Sequence, residues 1–271
     1  MTPIHPVLTT VVQGFKDQLF VADEVMPSVP VDLNEGKVIT FGDDIFDLIQ
    51  SEHFGTANMR WIDVGYAHGV YSLDEYALEG LLSTKEMEKA AKSDGVQLET
   101  VCVSKVTQVL ALLKEYKGAN IVLNAANYDN DHKVDLATEK WTDDANDPAK
   151  DVDVARDAVR SSTGLKPNTL LLSDKAFMAA KRNANVLKVF KRQKAGAVPN
   201  ESYMKEYFDV EKIVVGSAFY KNDQAGLTDI WGHDAWLGYV APPKGDRAAT
   251  SIAKWSRASV IDIFSRGIPV S

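Results

Sequence analysis

The sequence predicts an α+β protein, and three observations carry that prediction. The first is a stripe at helical spacing: Leu98, Val101, Cys102, Val106, Val109, Leu110, Leu113 and Tyr116 recur every three or four residues, one continuous face on a 3.6-residue period. Glu99, Ser104, Lys105, Gln108 and Lys114 fall off that face. The second is a series of short β-branched and apolar runs at 37–41, 59–71, 121–124, 168–173, 210–220, 230–240 and 259–264. The third is a pair of capping boxes, Ser72-Leu-Asp-Glu75 and Ser83-Thr-Lys-Glu86, which predict two short helices ahead of the long one.

Composition narrows the class. A chain of 271 residues, 45% hydrophobic and 25% charged, can bury a core as one large or two modest domains. The net charge of -8 and a pI near 5.2 leave no overall basic field to hold nucleic acid and no polybasic membrane anchor. One cysteine, Cys102, excludes an internal disulfide framework, and its place on the helical stripe predicts burial. The start, Met1-Thr-Pro-Ile-His-Pro, has no basic segment leading into an apolar run, and no stretch approaches the ~18 apolar residues of a membrane span. A soluble protein made in a reducing cytoplasm is expected.

In chain order, residues 1–35 read as an extended arm. Val7, Leu8, Val11, Val12, Phe15, Leu19 and Phe20 need a surface to lie on, and 8–20 suits a short helix. Pro27 and Pro30 favour extended geometry from Phe20 to Val31. The runs 36–41 and 59–71 read as two strands, joined by Gly42 to Asn58 with Asp43, Asp44, Phe46, Ile49, Glu52 and Phe54. A lone hairpin is marginal in water, so this excursion needs a partner; an ordinary meander within one domain is the alternative. The long helix should stop near Gly118 and Asn120, followed by a strand Ile121–Asn124. A helix from about Asp151 to Ser162 buries Val152, Ala155 and Val159, and Gly164 to Ser173 is a turn feeding a buried strand. Asp174 to Phe190 reads as one helix with Ala176, Phe177, Ala180, Val186, Leu187 and Phe190 inside. Lys181, Arg182, Lys188, Lys191, Arg192 and Lys194 are the densest basic run, read as a solvated face, with an acidic partner or nucleic acid as the alternative.

Catalytic chemistry leaves little trace. No G-x-S-x-G, P-loop, G-x-G-x-x-G or H-E-x-x-H pattern occurs, and His5, His53, His68, His132 and His233 are scattered. Asp129-Asn-Asp-His-Lys133 starts like a calcium loop, but Val134 stands where glycine is needed and Lys140 where the bidentate glutamate belongs. The acidic stretch Trp141 to Pro148 fits helix capping better than a carboxylate metal site, since no histidine lies at ligand spacing. No cofactor, metal or catalytic residue is expected; a soluble carboxylate-dependent enzyme built around Asp143 is the alternative from a different class.

The order of the parts resembles the major capsid proteins of tailed bacteriophages, which have the Hong Kong 97 fold. The residues that carry the resemblance are Phe20-x-Ala-Asp-x-Val-x-Pro-x-Val-x-Val31, Trp141 through Asp147-Pro148, Pro167-Asn-Thr-Leu-Leu-Leu-Ser173, Ile213-Val-Val-Gly-Ser-Ala218, Ile230-Trp-Gly and Leu237-Gly-Tyr-Val-Ala-Pro242. The resemblance implies an N-terminal arm (1–35), an extended loop (36–72), a peripheral domain with a long spine helix (73–120), an axial domain (121–243) and a C-terminal return to the peripheral domain (244–271). It implies a homo-oligomer of pentamers and hexamers enclosing DNA without specific binding, assembled in the host bacterial cytoplasm into the virion, with a portal and, where used, separate scaffolding or decoration proteins. An encapsulin-like nanocompartment is the alternative within the fold. Contacts between subunits are expected at Phe15, Phe20, Asp43, Asp44, Phe46, Ile49, Phe54, Arg60 and Trp61, with the tip residues Phe46, Ile49 and Phe54 covered by an adjacent subunit.

The family-like arm begins within about 20 residues of Met1, so mature particles are expected to keep residues close to it. Some members of the family cross-link subunits through a lysine on the extended loop. This chain has no lysine between Lys37 and Lys85, and the Arg60 guanidinium is a poor nucleophile. Mature particles boiled in detergent and reductant should therefore release a single band near 29.8 kDa; a ladder of dimers to hexamers would show that another lysine does the joining.

Overall fold

Strand β4 (Thr169–Ser173) is buried at every position, because both faces of its sheet are covered. The structure is a computed structural model that describes residues 20–28, 31, 33–41, 65–93, 97–136, 140–193, 199–222, 226–241 and 259–262. The elements before β4 are a one-turn helix α1 (Ala22–Val25), β1 (Glu35–Phe41), β2 (Tyr66–Ser72), α2 (Thr84–Ser93), α3 (Leu98–Val122), β3 (Lys133–Asp135) and α4 (Pro148–Thr163). After it come α5 (Asp174–Arg182), α6 (Ala184–Gln193), α7 (Glu201–Tyr207), β5 (Lys212–Gly216), β6 (Phe219–Asn222), β7 (Gly226–Asp229), β8 (Asp234–Gly238) and β9 (Ser259–Asp262).

The central sheet has the order β3-β9-β8-β4-β5. Its β3/β9 and β4/β5 pairs are parallel; β9/β8 and β8/β4 are antiparallel. Alternation along the strands sends Leu170, Leu172, Ile213, Ala235 and Leu237 into one core and Leu171, Val214 and Trp236 into another. The first core is closed by Val152 and Ala155 of α4, Ala176 and Ala180 of α5, Val186 and Phe190 of α6, Met204 of α7, and by Trp141 and Phe208. The second is closed by Val21, Ala22 and Val25 from the N-terminal side, by Ala119 and Val122 of α3, and by Ile230 and Trp231.

Local chemistry sets the helix boundaries in the first layer. Asp147 accepts from the Ala149 amide (3.1 Å) with Pro148 opening α4, and Ser173 accepts from the Ala176 amide (3.2 Å) at the start of α5. Val152, Ala155 and Val159 are buried, as the spacing predicts.

Several expectations are corrected. The predicted single helix 174–190 is two, because Asn183 breaks it: its Nδ2 donates to the carbonyls of Trp141, Asp143 and Asn146 at 3.0, 3.2 and 2.9 Å, while its Oδ1 accepts from the Asn185 amide. Helix α3 runs through Gly118 to Val122, so Ile121–Asn124 is not a strand; a 3-10 turn at Ala125–Asn127 follows. Gly118 suits the close approach of α1, since a Cβ there would lie 2.7 Å from Met26 Cε, which can swing aside, and 3.1 Å from Ala22 Cβ, which would have to give by a few tenths of an ångström. The Ser72–Glu75 capping box starts no helix: Glu75 accepts from Asn34 Nδ2 (3.1 Å) and the Leu73 amide donates to the Asn34 carbonyl (2.8 Å). A helix does follow the second box, with α2 starting at Thr84 directly after Ser83. Residues 20–31 are not extended throughout, for α1 forms ahead of Met26-Pro27. The run 210–220 divides into β5 and β6 where Gly216 passes beneath the Trp231 indole, and 230–240 is a strand only over β8. The C-terminal strand lies in the central sheet between β3 and β8, not back beside α3.

The end of α3 is held by Tyr128, whose hydroxyl donates to the Val122 carbonyl (2.6 Å) and accepts from Trp236 Nε1 (3.1 Å). Burial pushes this phenol up to about 12, the Trp236 hydrogen bond opposing the shift. A pKa raised on folding means that the native state holds the proton more tightly. That stability is complete below about pH 10 and is lost as pH rises through about 12. The unfolding free energy should fall over this window, and less steeply in Tyr128→Phe. Asn183→Ala leaves the Trp141 carbonyl without its donor, while the Asp143 and Asn146 carbonyls keep the Asn146 amide and Asn185 Nδ2, and should cost about 1–3 kcal/mol, read as a lower urea midpoint at unchanged slope.

Candidate assembly surface

One buried carboxylate positions the elements from which the surface projects. Glu115 of α3 is 1% exposed and takes the Val21 amide at 2.9 and 3.1 Å, the Ala22 amide at 2.7 Å and Trp231 Nε1 at 2.7 Å. Amides at the first turn of α1 are free donors that carry partial positive charge, and a carboxylate is the side chain that matches them. Exposed ion pairs Lys114–Asp23 and Lys212–Glu24 flank the anchor, each contributing little. Phe20, expected between subunits, packs half-buried against the second core of its own chain.

Ahead of this anchor the chain is far less covered. β1 and β2 form a two-stranded ribbon in which Ile39 opposes His68 and Lys37 opposes Val70. Cross-strand partners share a face, and on this one Ile39, Tyr66 and Val70 are 51%, 63% and 81% exposed. The ribbon pairs with no other strand among the described residues. Residues 73–82 then run exposed along α3, with the Lys117 ammonium over the Tyr76 ring and Gly80 against Cys102. On α3 itself Val101, Val109 and Tyr116 of the predicted stripe stay exposed and Cys102 is half-buried rather than buried. The buried positions of the helix are Glu115, Gly118, Ala119 and Val122. An apolar groove of about 360 Å³ lies between α1, α3 and Tyr76, lined by Ala22, Met26, Leu110 and Leu113.

The acidic stretch after Trp141 is structural. Asp143 accepts from the Ala145 amide (3.0 Å), Asp144 from the Ala184 amide at the start of α6 (3.1 Å), Asp147 caps α4 and Asp151 takes Trp141 Nε1 (2.6 Å). No cluster of three metal-ligating side chains occurs among the described residues. The remaining predicted contacts, Phe15, Asp43, Asp44, Phe46, Ile49, Phe54, Arg60 and Trp61, lie outside the described residues, as does the predicted helix 8–20 apart from Phe20. In the sequence the 36–72 excursion needs a partner, but the contact is expected at its tip, which lies outside the described residues, and the exposed segment 73–82 reads as the start of a short helix.

No family model matches the chain. The major capsid protein of Burkholderia phage BcepMu is 32% identical over 251 residues, spanning 91% of this chain and 80% of that protein. The chain belongs to the phage major capsid proteins. The major capsid protein of Pseudomonas phage JBD67 is 23% identical over 247 residues, 88% of this chain and 77% of that one. The crystal structure of a phage-related protein from Bordetella bronchiseptica RB50 matches 99% of both chains at 30% identity and a TM-score of 0.74. This capsid protein is therefore a structural subunit of the phage shell. Among the described residues no helix is long and apolar enough to cross a membrane.

Replacing Glu115 by Gln removes the charge and points an amide at donors. Glu115→Gln should destabilise the subunit by about 2–4 kcal/mol in urea unfolding and speed proteolysis around residues 20–28.

Proposed function

We propose that this capsid protein has the Hong Kong 97 fold and is the repeating subunit, in pentamers and hexamers, of an icosahedral head that encloses double-stranded DNA. Residues 1–35 act as the arm, 36–72 as the extended loop, 73–120 as the peripheral domain and 121–243 as the axial domain, with the C-terminal strand counted in the axial sheet. The subunit has no catalytic activity. A portal joins the shell, any scaffolding or decoration protein is a separate chain, and assembly takes place in the host bacterial cytoplasm.

The observation that carries this reading is the ribbon face of Ile39, Tyr66 and Val70, exposed in the single chain. A contact that buries on the order of 1,000 Å² of apolar area grosses roughly 25 kcal/mol before ordering costs, enough to fix the ribbon on a neighbour. The acidic balance supports a wall that confines DNA without adhering to it.

Negative-stain microscopy of the purified protein should show closed shells, and Val70→Asp should stay folded by circular dichroism yet form none. A monomer or dimer under all assembly conditions refutes the reading. DNA in shells from infected cells, rather than a cargo enzyme, separates a phage head from a nanocompartment.

A further inference from the structure

Two surfaces of this chain are oppositely charged, and neither finds its counter-charge in an ion pair among the described residues. On α5 and α6, Arg182, Lys188, Lys191 and Arg192 are exposed and Lys181 half-buried, and none forms an ion pair among the described residues. Lys188, Lys191 and Arg192 stand at i, i+3 and i+4, so they share one helix face, next to Val189 at 39% exposure. At the α5 end a depression of about 380 Å³ is lined by the apolar Trp141, Met178 and Ala179 together with Arg182, Asp144 and Lys175, the last already paired with Asp229. Gathering these cations costs self-repulsion that a chain of net charge -8 had no need to incur.

The opposite surface is the segment 73–82, Leu-Asp-Glu-Tyr-Ala-Leu-Glu-Gly-Leu-Leu, with three carboxylates and no cation. It has no helix or strand and is exposed along its whole length; Leu73, Leu78, Leu81 and Leu82 are 49%, 46%, 92% and 36% exposed. Asp74 accepts from the Tyr76 hydroxyl and Glu75 from Asn34 Nδ2, but no cation pairs with Asp74, Glu75 or Glu79 among the described residues. The segment continues directly from β2, so it extends the ribbon surface assigned above to assembly.

We propose that the basic face of α5 and α6 receives the acidic, leucine-rich segment 73–82 of a second copy of this chain. The inference rests on the shell reading above and names one pair of surfaces within it. A neighbouring copy fits better than DNA because the site mixes cations with apolar side chains and the Asp144 carboxylate, which a phosphate backbone would not favour. Apolar contact supplies the affinity, and charge selects partner and register.

Charge exchange tests it. Lys188→Glu, Lys191→Glu and Arg192→Glu together should leave the circular-dichroism spectrum and urea midpoint unchanged, since the side chains are exposed, and lower shell yield by about tenfold or more. Asp74→Lys, Glu75→Lys and Glu79→Lys together should do the same, and combining the two sets should restore shells. If the glutamate set does not fold, the milder Lys188→Gln, Lys191→Gln, Arg192→Gln set is read instead, and it should remove the slowing of wild-type assembly by added salt. Full assembly by the charge-reversed α6 protein, with or without loss of DNA from its shells, overturns the proposal. So does a combined variant that folds but forms no shells. Wild-type protein that never forms shells defeats the shell reading itself, a separate outcome.

Discussion

The placement of the N-terminal side of this capsid protein depends on one buried anion. Glu115 is held by amides and an indole, not by a cation, so removing a donor leaves a charge in the interior and removing the carboxylate leaves three donors unpaired. The geometry also constrains its neighbours. Gly118, one turn along the same helix, lets α1 come down on α3, and Gly216 lets Trp231 reach across the sheet edge, where a Cβ would sit 2.3 Å from the indole. Three parts distant in sequence therefore meet at one carboxylate: the segment at 21–22, the long helix and the loop before β8. Covering the second face of the sheet follows from that meeting, because the same residues bring Val21, Val25 and Val122 onto Leu171, Val214 and Trp236.

Periodicity made the helices of the first core legible. Val152, Ala155 and Val159 fell where the spacing put them, and so did Ala176, Ala180, Val186 and Phe190, because water-excluding faces write themselves as apolar repeats. Polar determinants left no such trace. Asn183 ends a helix by donating into a loop forty residues away, to the carbonyls of Trp141, Asp143 and Asn146, and nothing near position 183 announces that demand. Glu115 was unread for a related reason: on an amphipathic pattern a glutamate counts as solvent-facing, and only the positions of Val21, Ala22 and Trp231 make it interior.

The stripe on α3 is instructive in a different way. Its repeat is real, and yet Val101, Val109 and Tyr116 remain exposed, while the buried positions Glu115, Gly118, Ala119 and Val122 lie near the end of the helix and outside the stripe. An apolar repeat records which face leaves water in the functioning state, whoever supplies the cover. In the shell proposed above, part of that cover belongs to other copies. The same applies to the ribbon, which the sequence expects to need a partner and whose face of Ile39, Tyr66 and Val70 is exposed.

This division separates what folding must accomplish from what association must accomplish. The sheet from β3 to β9 and its helices carry a two-sided core whose strands β4 and β8 are buried at every residue, so it has its own reason to be stable. The ribbon, the segment 73–82 and the outer turns of α3 bury little of their own, and an apolar surface in water is a store of free energy released when a partner removes it. In the shell proposed above, contacts between copies act mainly on elements whose rearrangement leaves the sheet's packing intact. Glu115 and Trp231 stand at the junction of the two parts, where the long helix enters the second core. A subunit arranged in this way can change its contacts as a shell forms without unfolding the domain that gives it shape.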